Sequence, residues 1–325
     1  GQIAGRFASE FGMQAVPERS VVEPALAPEA VDPVTLRRLN YGQDGPERIG
    51  KYIERNLPIA PHPGTDGYLY LSQVNQAEAM AYAVRIFRRR FDADRRCSGA
   101  LVWQLDDCWP SVSWSLLGYC NEGETPRRKP SFYSVRRELL PWVLGLAPVA
   151  GGTGIEVWVV APDRQSDELG DAPLSIRLRA FRPDGSLHGQ QEQPCKLVGN
   201  QSNELGVFQL EPNGEPLIYG AQLVATTESG EQVLARAVLW PQPLKDLLAE
   251  EALRDPGLQL RRDGDRIELR VQRPAKAVLV RATDDRVLGW SDNLVDLLPD
   301  EPLTLEAPGS AGLELSVRSL FVGGA

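Results

Sequence analysis

Several things this chain is short of set the first limits. Four cysteines and two histidines are spread over 325 residues. Cys97, Cys108, Cys120 and Cys195 show no C-x-x-C spacing, so neither a metal site nor a metal cofactor is expected. So few thiols in a chain of this size also mean that disulfides are not what holds the fold. No apolar run approaches the roughly eighteen residues of a membrane-spanning helix, and no membrane partner is expected. Positive charge is in deficit, 35 Lys and Arg against 44 Asp and Glu for a net charge of −9. That argues against nucleic acid, whose phosphates call for a basic face. The densest basic cluster, Arg88-Arg89-Arg90 with Arg95 and Arg96, falls at the end of a predicted helix. Cations complement the helix dipole there, and the cluster reads as a solvated terminus. The first residues lack an initiating Met and the charged and apolar regions of a signal peptide, which leaves the compartment open.

What remains is an ordinary globular composition, 42% hydrophobic and 24% charged, in a chain long enough for two or three cores. The apolar run Ile3 to Phe7 predicts a buried strand that delivers Glu10 to its end, with Gly12 allowing a sharp turn. Pro17 to Pro33 reads as a linker. Helices are predicted from Asp32-Pro33 with Val34, Leu36 and Leu39 apolar, over Pro46 to Leu57 with Ile49, Tyr52 and Ile53 on one face, and over Ser72 to Phe91. His62, between two prolines, is expected in a surface loop. Gly99 to Leu105 is a continuous apolar run suited to a strand buried on both faces, and Ser131 to Leu140 follows as a short helix. Strand, helix, strand, helix is the rhythm of a parallel barrel, where a carboxylate at the C-terminal end of a strand sits at the catalytic rim. Two strands do not close a barrel, so about six more are expected upstream of Gly1.

The pattern changes near Ala147. Ile155 to Val160, Leu174 to Ala180, Leu217 to Thr226 and Gln232 to Leu239 are short β segments bounded by turn residues, and a hairpin is signalled at Asp263-Gly264. Trp158, Trp240 and Trp290 read as core. The expected fold class is multidomain, α/β plus all-β: the C-terminal part of a (β/α)8 TIM barrel over 1–147, contributing strands 7 and 8, then immunoglobulin-like β-sandwiches over 148–243 and 244–325.

Three stretches carry a resemblance. Ser9-Glu10-Phe11-Gly12-Met13-Gln14 is followed about ninety residues on by Leu101-Val102-Trp103-Gln104-Leu105-Asp106-Asp107-Cys108-Trp109-Pro110. Near the C-terminus stands Trp290-Ser291-Asp292-Asn293-Leu294-Val295-Asp296-Leu297-Leu298-Pro299. In this order and spacing they resemble the β-mannosidases of glycoside hydrolase family 2. The resemblance runs the length of the chain and implies a retaining exo-β-mannosidase acting on glycans with terminal non-reducing β-mannose, with no cofactor.

It assigns Glu10 as the nucleophile that forms a covalent glycosyl-enzyme, and Trp103 as a residue lining the terminal-sugar subsite. A flat ring is a sensible platform for the C–H face of a sugar. Trp109 and Trp114 read either as further rim residues or as packing. Asp106 reads either as a partner for sugar hydroxyls or as a cap for the next turn, as does Asp107. The family commonly has Asn-Asp where this chain has Asp106-Asp107, and residues 121–128 are an insertion. The family's acid/base, the Glu of an Asn-Glu pair after the fourth barrel strand, has no counterpart here, so the chain alone is expected to be inactive. Two alternatives stand beside this reading: another family-2 glycosidase, such as an exo-β-glucosaminidase or β-galactosidase, and a non-catalytic carbohydrate-binding fragment. Oligomeric state is left open.

Overall fold

The structure is a computed structural model that describes residues 6–27, 29–42, 44–150, 154–163, 169–210 and 214–322. The chain divides into two compact units, Gly1–Ser9 with Tyr82–Leu101 and Arg137–Pro241, and Glu10–Ala81 with Val102–Arg136 and Gln242–Ala325.

Strand β1 (Ala8–Phe11) is followed by α1 (Arg19–Leu26), α2 (Gly45–Asn56), α3 (Gly64–Arg89) and β2 (Ala100–Val102). Ser98 N donates to Arg6 O at 2.7 Å, Ala8 N to Gly99 O at 3.0 Å and Trp103 N to Phe11 O at 2.8 Å. The partners advance together along both segments, so β1 and β2 are parallel, and the helices form their crossover. This is the expected strand–helix–strand unit, with several differences in detail. The strand starts at Ala8, and Glu10 lies within it instead of after it; Ile3 to Gly5 of the predicted strand lie outside the described residues. Pro17 to Pro33 is not a linker. It holds α1, in which Pro24 removes one intrahelical bond while Val21, Val22 and Leu26 are buried. The stretch after Pro33 makes only a 3-10 turn (Thr35–Leu39), with Leu36 and Leu39 buried and Val34 exposed.

Helix α3 begins at Gly64, eight residues before the predicted start. Its prefix carries His62 into the interior, 3% exposed, where Nε2 lies 2.7 Å from Leu320 O and the ring packs on Tyr70. The surface-loop expectation for His62 therefore fails, because its partner is 258 residues away in sequence. Gly99 to Leu105 also differs from its prediction. Only Ala100–Val102 is strand, and Leu101, Trp103 and Leu105 are exposed, since among the described residues β2 pairs with β1 alone.

In the first unit, a three-stranded sheet of β5 (Val143–Pro148), β6 (Ile155–Ala161) and β9 (Gln201–Phe208) faces a four-stranded one of β7 (Leu174–Phe181), β8 (Leu187–Cys195), β10 (Ile218–Thr227) and β11 (Gly230–Leu239). The three-stranded sheet thus has the order β5-β6-β9 and the four-stranded one β11-β10-β7-β8. Alternate residues Val157, Val159, Ile176, Leu178, Ala221 and Leu223 fill the space between the sheets. The outer face of β6 is covered too. Trp158 is 1% exposed beneath the Arg89 guanidinium, 4.0 Å from the ring centroid. Gly145 is obligatory beside it, because a Cβ there would lie 2.1 Å from Trp158 Cε2. Arg89 also bonds Glu204 and Glu156, and Arg88 donates to the carbonyls of Glu138 and Leu140. The arginine cluster is thus largely consumed in pairing and packing and is not a solvated terminus.

In the second unit, β3 (Leu117–Gly118) and β4 (Arg127–Arg128) form a small hairpin leading into α4 (Pro130–Glu138). The C-terminal sandwich pairs β12 (Gln259–Asp263), β13 (Arg266–Arg270) and β16 (Leu303–Glu306) against β14 (Ala275–Ala282), β15 (Val295–Leu297) and β17 (Leu315–Arg318). Its core includes Ile267, Leu269, Val278, Val280, Trp290 and Leu297, with Tyr133 of α4 packed in. The distinctive stretch from Trp290 is structural. Asn293 Oδ1 accepts from Val280 N and its Nδ2 donates to Val280 O, at 2.9 and 2.8 Å. Asp296 Oδ1 accepts from Ala277 N at 2.9 Å. These side chains satisfy backbone groups of β14 that its neighbours leave open. Lys276, buried in the same strand, bonds Glu78 of α3 and Asp296 at 2.7 and 2.9 Å.

Candidate functional site

Glu10 lies on β1 with its side chain exposed. The next residue, Phe11, ends β1 and accepts the N–H of Trp103, the first residue after β2, which sets the backbone of Glu10-Phe11 beside that of Trp103. Gly12 then runs against the second strand. A Cβ at Gly12 would sit 2.0 Å from Trp103 O and 3.1 Å from Trp114 Cβ. Glycine is required here for close approach; its φ is not among the positive ones, so the predicted sharp turn is not its reason.

Trp103 is 47% exposed, its ring free to present a face. Trp114 packs edge-on against Tyr41, ring centroids 5.7 Å apart, and Trp109 lies tilted 6.4 Å from the same Tyr41. Tyr41, itself half exposed, completes an aromatic rim that sequence reasoning missed. It is recruited by backbone bonds: Tyr41 N donates to Val112 O, Val112 N to Leu39 O, and Ala15 N to Ser113 O, at 3.1, 2.8 and 3.0 Å. The loop 106–117 is thereby zipped between the segment after β1 and the turn before α2. Trp114 is held by packing and Trp109 is partly so, while Trp103 is open.

The two aspartates of the motif separate cleanly. Asp106 is exposed, with its backbone bridged to Leu117. Asp107 is buried and serves the loop. Its carboxylate accepts from the hydroxyls of Ser111, Ser113 and Ser115 at 3.0, 2.6 and 2.6 Å. Lys129 Nζ, also buried, is 3.6 Å away. Burial pushes the Lys129 ammonium down to about 8 against the opposing pull of Asp107. This cage fixes the Cys108-Trp109-Pro110 turn from beneath. The structure thus brings Glu10, Trp103 and, through Tyr41 and Trp114, Trp109 into one rim, with Asp106 on the same loop. Among the described residues no group of three or more His, Cys, Asp or Glu side chains is placed to hold a metal ion.

Residues 153–246 match the family described as Mannosidase Ig/CBM-like domain, and residues 253–321 match an Ig-fold domain of mannosidases. The β-mannosidases B of Aspergillus flavus and Thermothelomyces thermophilus are each 31% identical over 99% of this chain. The chain spans 38% and 39% of those proteins' lengths. Among solved structures, a β-D-mannosidase from Dictyoglomus thermophilum superposes with a TM-score of 0.75 at 24% identity, covering 98% of this chain and 38% of that one. An exo-chitosanase from Amycolatopsis orientalis follows with a TM-score of 0.70 at 16% identity over 99% of this chain and 42% of that one. At these identities the two structures speak to fold alone. The chain belongs to the β-mannosidase family of glycoside hydrolases.

Proposed function

We propose that this chain carries the nucleophile of a retaining exo-β-mannosidase of glycoside hydrolase family 2. Residues 1–147 would be the C-terminal part of its (β/α)8 barrel, and 148–243 and 244–325 its two C-terminal sandwiches. The observation that carries the reading is the junction of the Glu10 and Trp103 strands, closed so tightly at Gly12 that a carboxylate and an open indole face share one edge. In this mechanism Glu10 attacks the anomeric carbon of a terminal β-D-mannose, and the bond to the leaving oxygen breaks as that oxygen takes a proton from an acid whose carboxyl group stands about 5–5.5 Å from that of Glu10. Water then releases the sugar with its configuration retained. Trp103 stacks on the sugar, while Asp106 and Trp109 contact it from the loop.

The acid is expected from residues outside this chain. Asn203-Glu204 lies in β9 of the sandwich and Asn121-Glu122 in the β3–β4 hairpin. In the full-length enzyme containing this chain, Glu10→Gln should lower hydrolysis of an aryl β-mannoside by roughly 10³-fold or more. Unchanged hydrolysis would refute the assignment, and turnover by these 325 residues alone would refute the outside acid. A purely carbohydrate-binding role finds less support, since Trp158, Trp240 and Trp290 are all buried.

A further inference from the structure

Helix α3 meets the segment leaving β1 with a row of buried polar side chains in place of apolar ones. Ser72, Gln73 and Gln76 are each at most 1% exposed. Ser72 Oγ accepts from Val16 N at 3.1 Å, Gln73 Nε2 donates to Val16 O at 3.0 Å, and Gln76 Nε2 donates to Met13 O at 2.8 Å. Positions 72 and 76 are one turn apart on a single helix face, with 73 at its border.

Gln76 reaches further than the other two. The same amide nitrogen lies 3.2 Å from Trp114 O and 3.1 Å from Ser115 O, and its Oε1 accepts from Ser131 Oγ at 2.8 Å. One side chain therefore ties together the segment three residues beyond Glu10, the loop bearing Trp114, and the start of α4. Apolar packing is non-directional and tolerates sliding, whereas these bonds fix both distance and register. An amide is suited to the task because it offers two donors and an acceptor without a charge to bury.

We propose that Gln76 is a positioning residue for Glu10, with Ser72, Gln73 and Ser131 as its supports. It sets where the carboxylate stands relative to the anomeric carbon without touching the sugar. The inference rests on the reading of Glu10 as nucleophile and adds what holds that nucleophile in register.

The test uses the full-length enzyme containing this chain and 2,4-dinitrophenyl 2-deoxy-2-fluoro-β-D-mannoside. A Glu10 oxygen bonds to C1 as the C1–O bond breaks, and dinitrophenolate departs with the electron pair and needs no proton. The trapping rate therefore reports nucleophile placement apart from the acid. Gln76→Met keeps the volume and removes the donors. It should slow trapping by about 10- to 100-fold, the scale expected of a misplacement on the order of 1 Å, with the probe's dissociation constant nearly unchanged. Equal trapping rates, or a loss confined to binding, would overturn the proposal. Should Gln76→Met fail to fold by circular dichroism, Ser131→Ala decides: it should slow trapping a few-fold at constant affinity, and an unchanged rate overturns the proposal. A wild-type enzyme labelled elsewhere than Glu10 would be a different failure, that of the nucleophile reading itself.

Discussion

Replacing Lys129 by Met tests which force dominates beneath the candidate site. The ammonium is fully buried 3.6 Å from Asp107, and removing one partner of such a pair costs about 3–5 kcal/mol. Three serine hydroxyls still bond Asp107 in the variant, which favours the lower end near neutral pH. The pH dependence is more discriminating. Burial lowers Lys129 from 10.5 to about 8, so between those values the unfolded chain binds more protons than the folded one. Stability from this group is complete above 10.5 and is lost as pH falls through about 8. Linkage makes the difference between pH 7 and pH 9.5 about 2 kcal/mol. The destabilisation caused by Lys129→Met should therefore grow with pH over that range by about this amount. Urea unfolding of the whole chain at several pH values, followed by tryptophan fluorescence, measures it. A destabilisation that shrinks as pH rises would mean that attraction to Asp107 outweighs burial, and the reasoning would be wrong.

Gly12→Ala would press a methyl group onto the Trp103 carbonyl, a backbone atom that cannot swing aside; a loss of about 1–3 kcal/mol is expected, read as a lower urea midpoint, with glycosidase activity in the full-length enzyme falling too. Burial, opposed by the bond to Leu320 O and aided by the charge of Arg318, holds His62 below its ordinary 6.5. Its contribution is therefore complete above 6.5 and declines as pH falls through its lower folded value. His62→Gln, which keeps a donor for Leu320, should flatten the acid side of a plot of melting temperature against pH. An identical acid limb in both proteins would count against it.

What could be read in advance follows from how local each feature is. Leu174 to Ala180 alternates because β7 is central in its sheet and one face meets the core, and the strand forms there with Leu174, Ile176, Leu178 and Ala180 buried. Its neighbour β8, Leu187–Cys195, is not legible in the sequence. It is an edge strand, mostly polar and exposed, so no hydrophobic period marks it. Helix α2 is legible through Ile49 and Ile53, which are buried as expected, whereas Tyr52, expected on the same face, is exposed. Helix α1 hid behind Pro24, and Lys276 broke the apolar run of β14, although its charge is answered by Glu78 and Asp296. In the site, Glu10 and Trp103 stood out through their motifs. Gln76 did not, because a glutamine on a helix reads as solvated until the carbonyls it serves are brought in from Met13, Trp114 and Ser115.

The contacts made by α3 and its prefix also bear on the order of synthesis. His62, Tyr70, Gln73 and Glu78 bond residues 258, 207, 208 and 198 positions downstream. On a ribosome that adds about 5–20 residues per second, these groups wait on the order of 10 to 50 s for partners that do not yet exist. The last sandwich is thus the clasp that lets the helix behind the Glu10 segment settle. Truncations within 276–320 are expected to leave the early part of the chain synthesised but not locked, and dependent on chaperones.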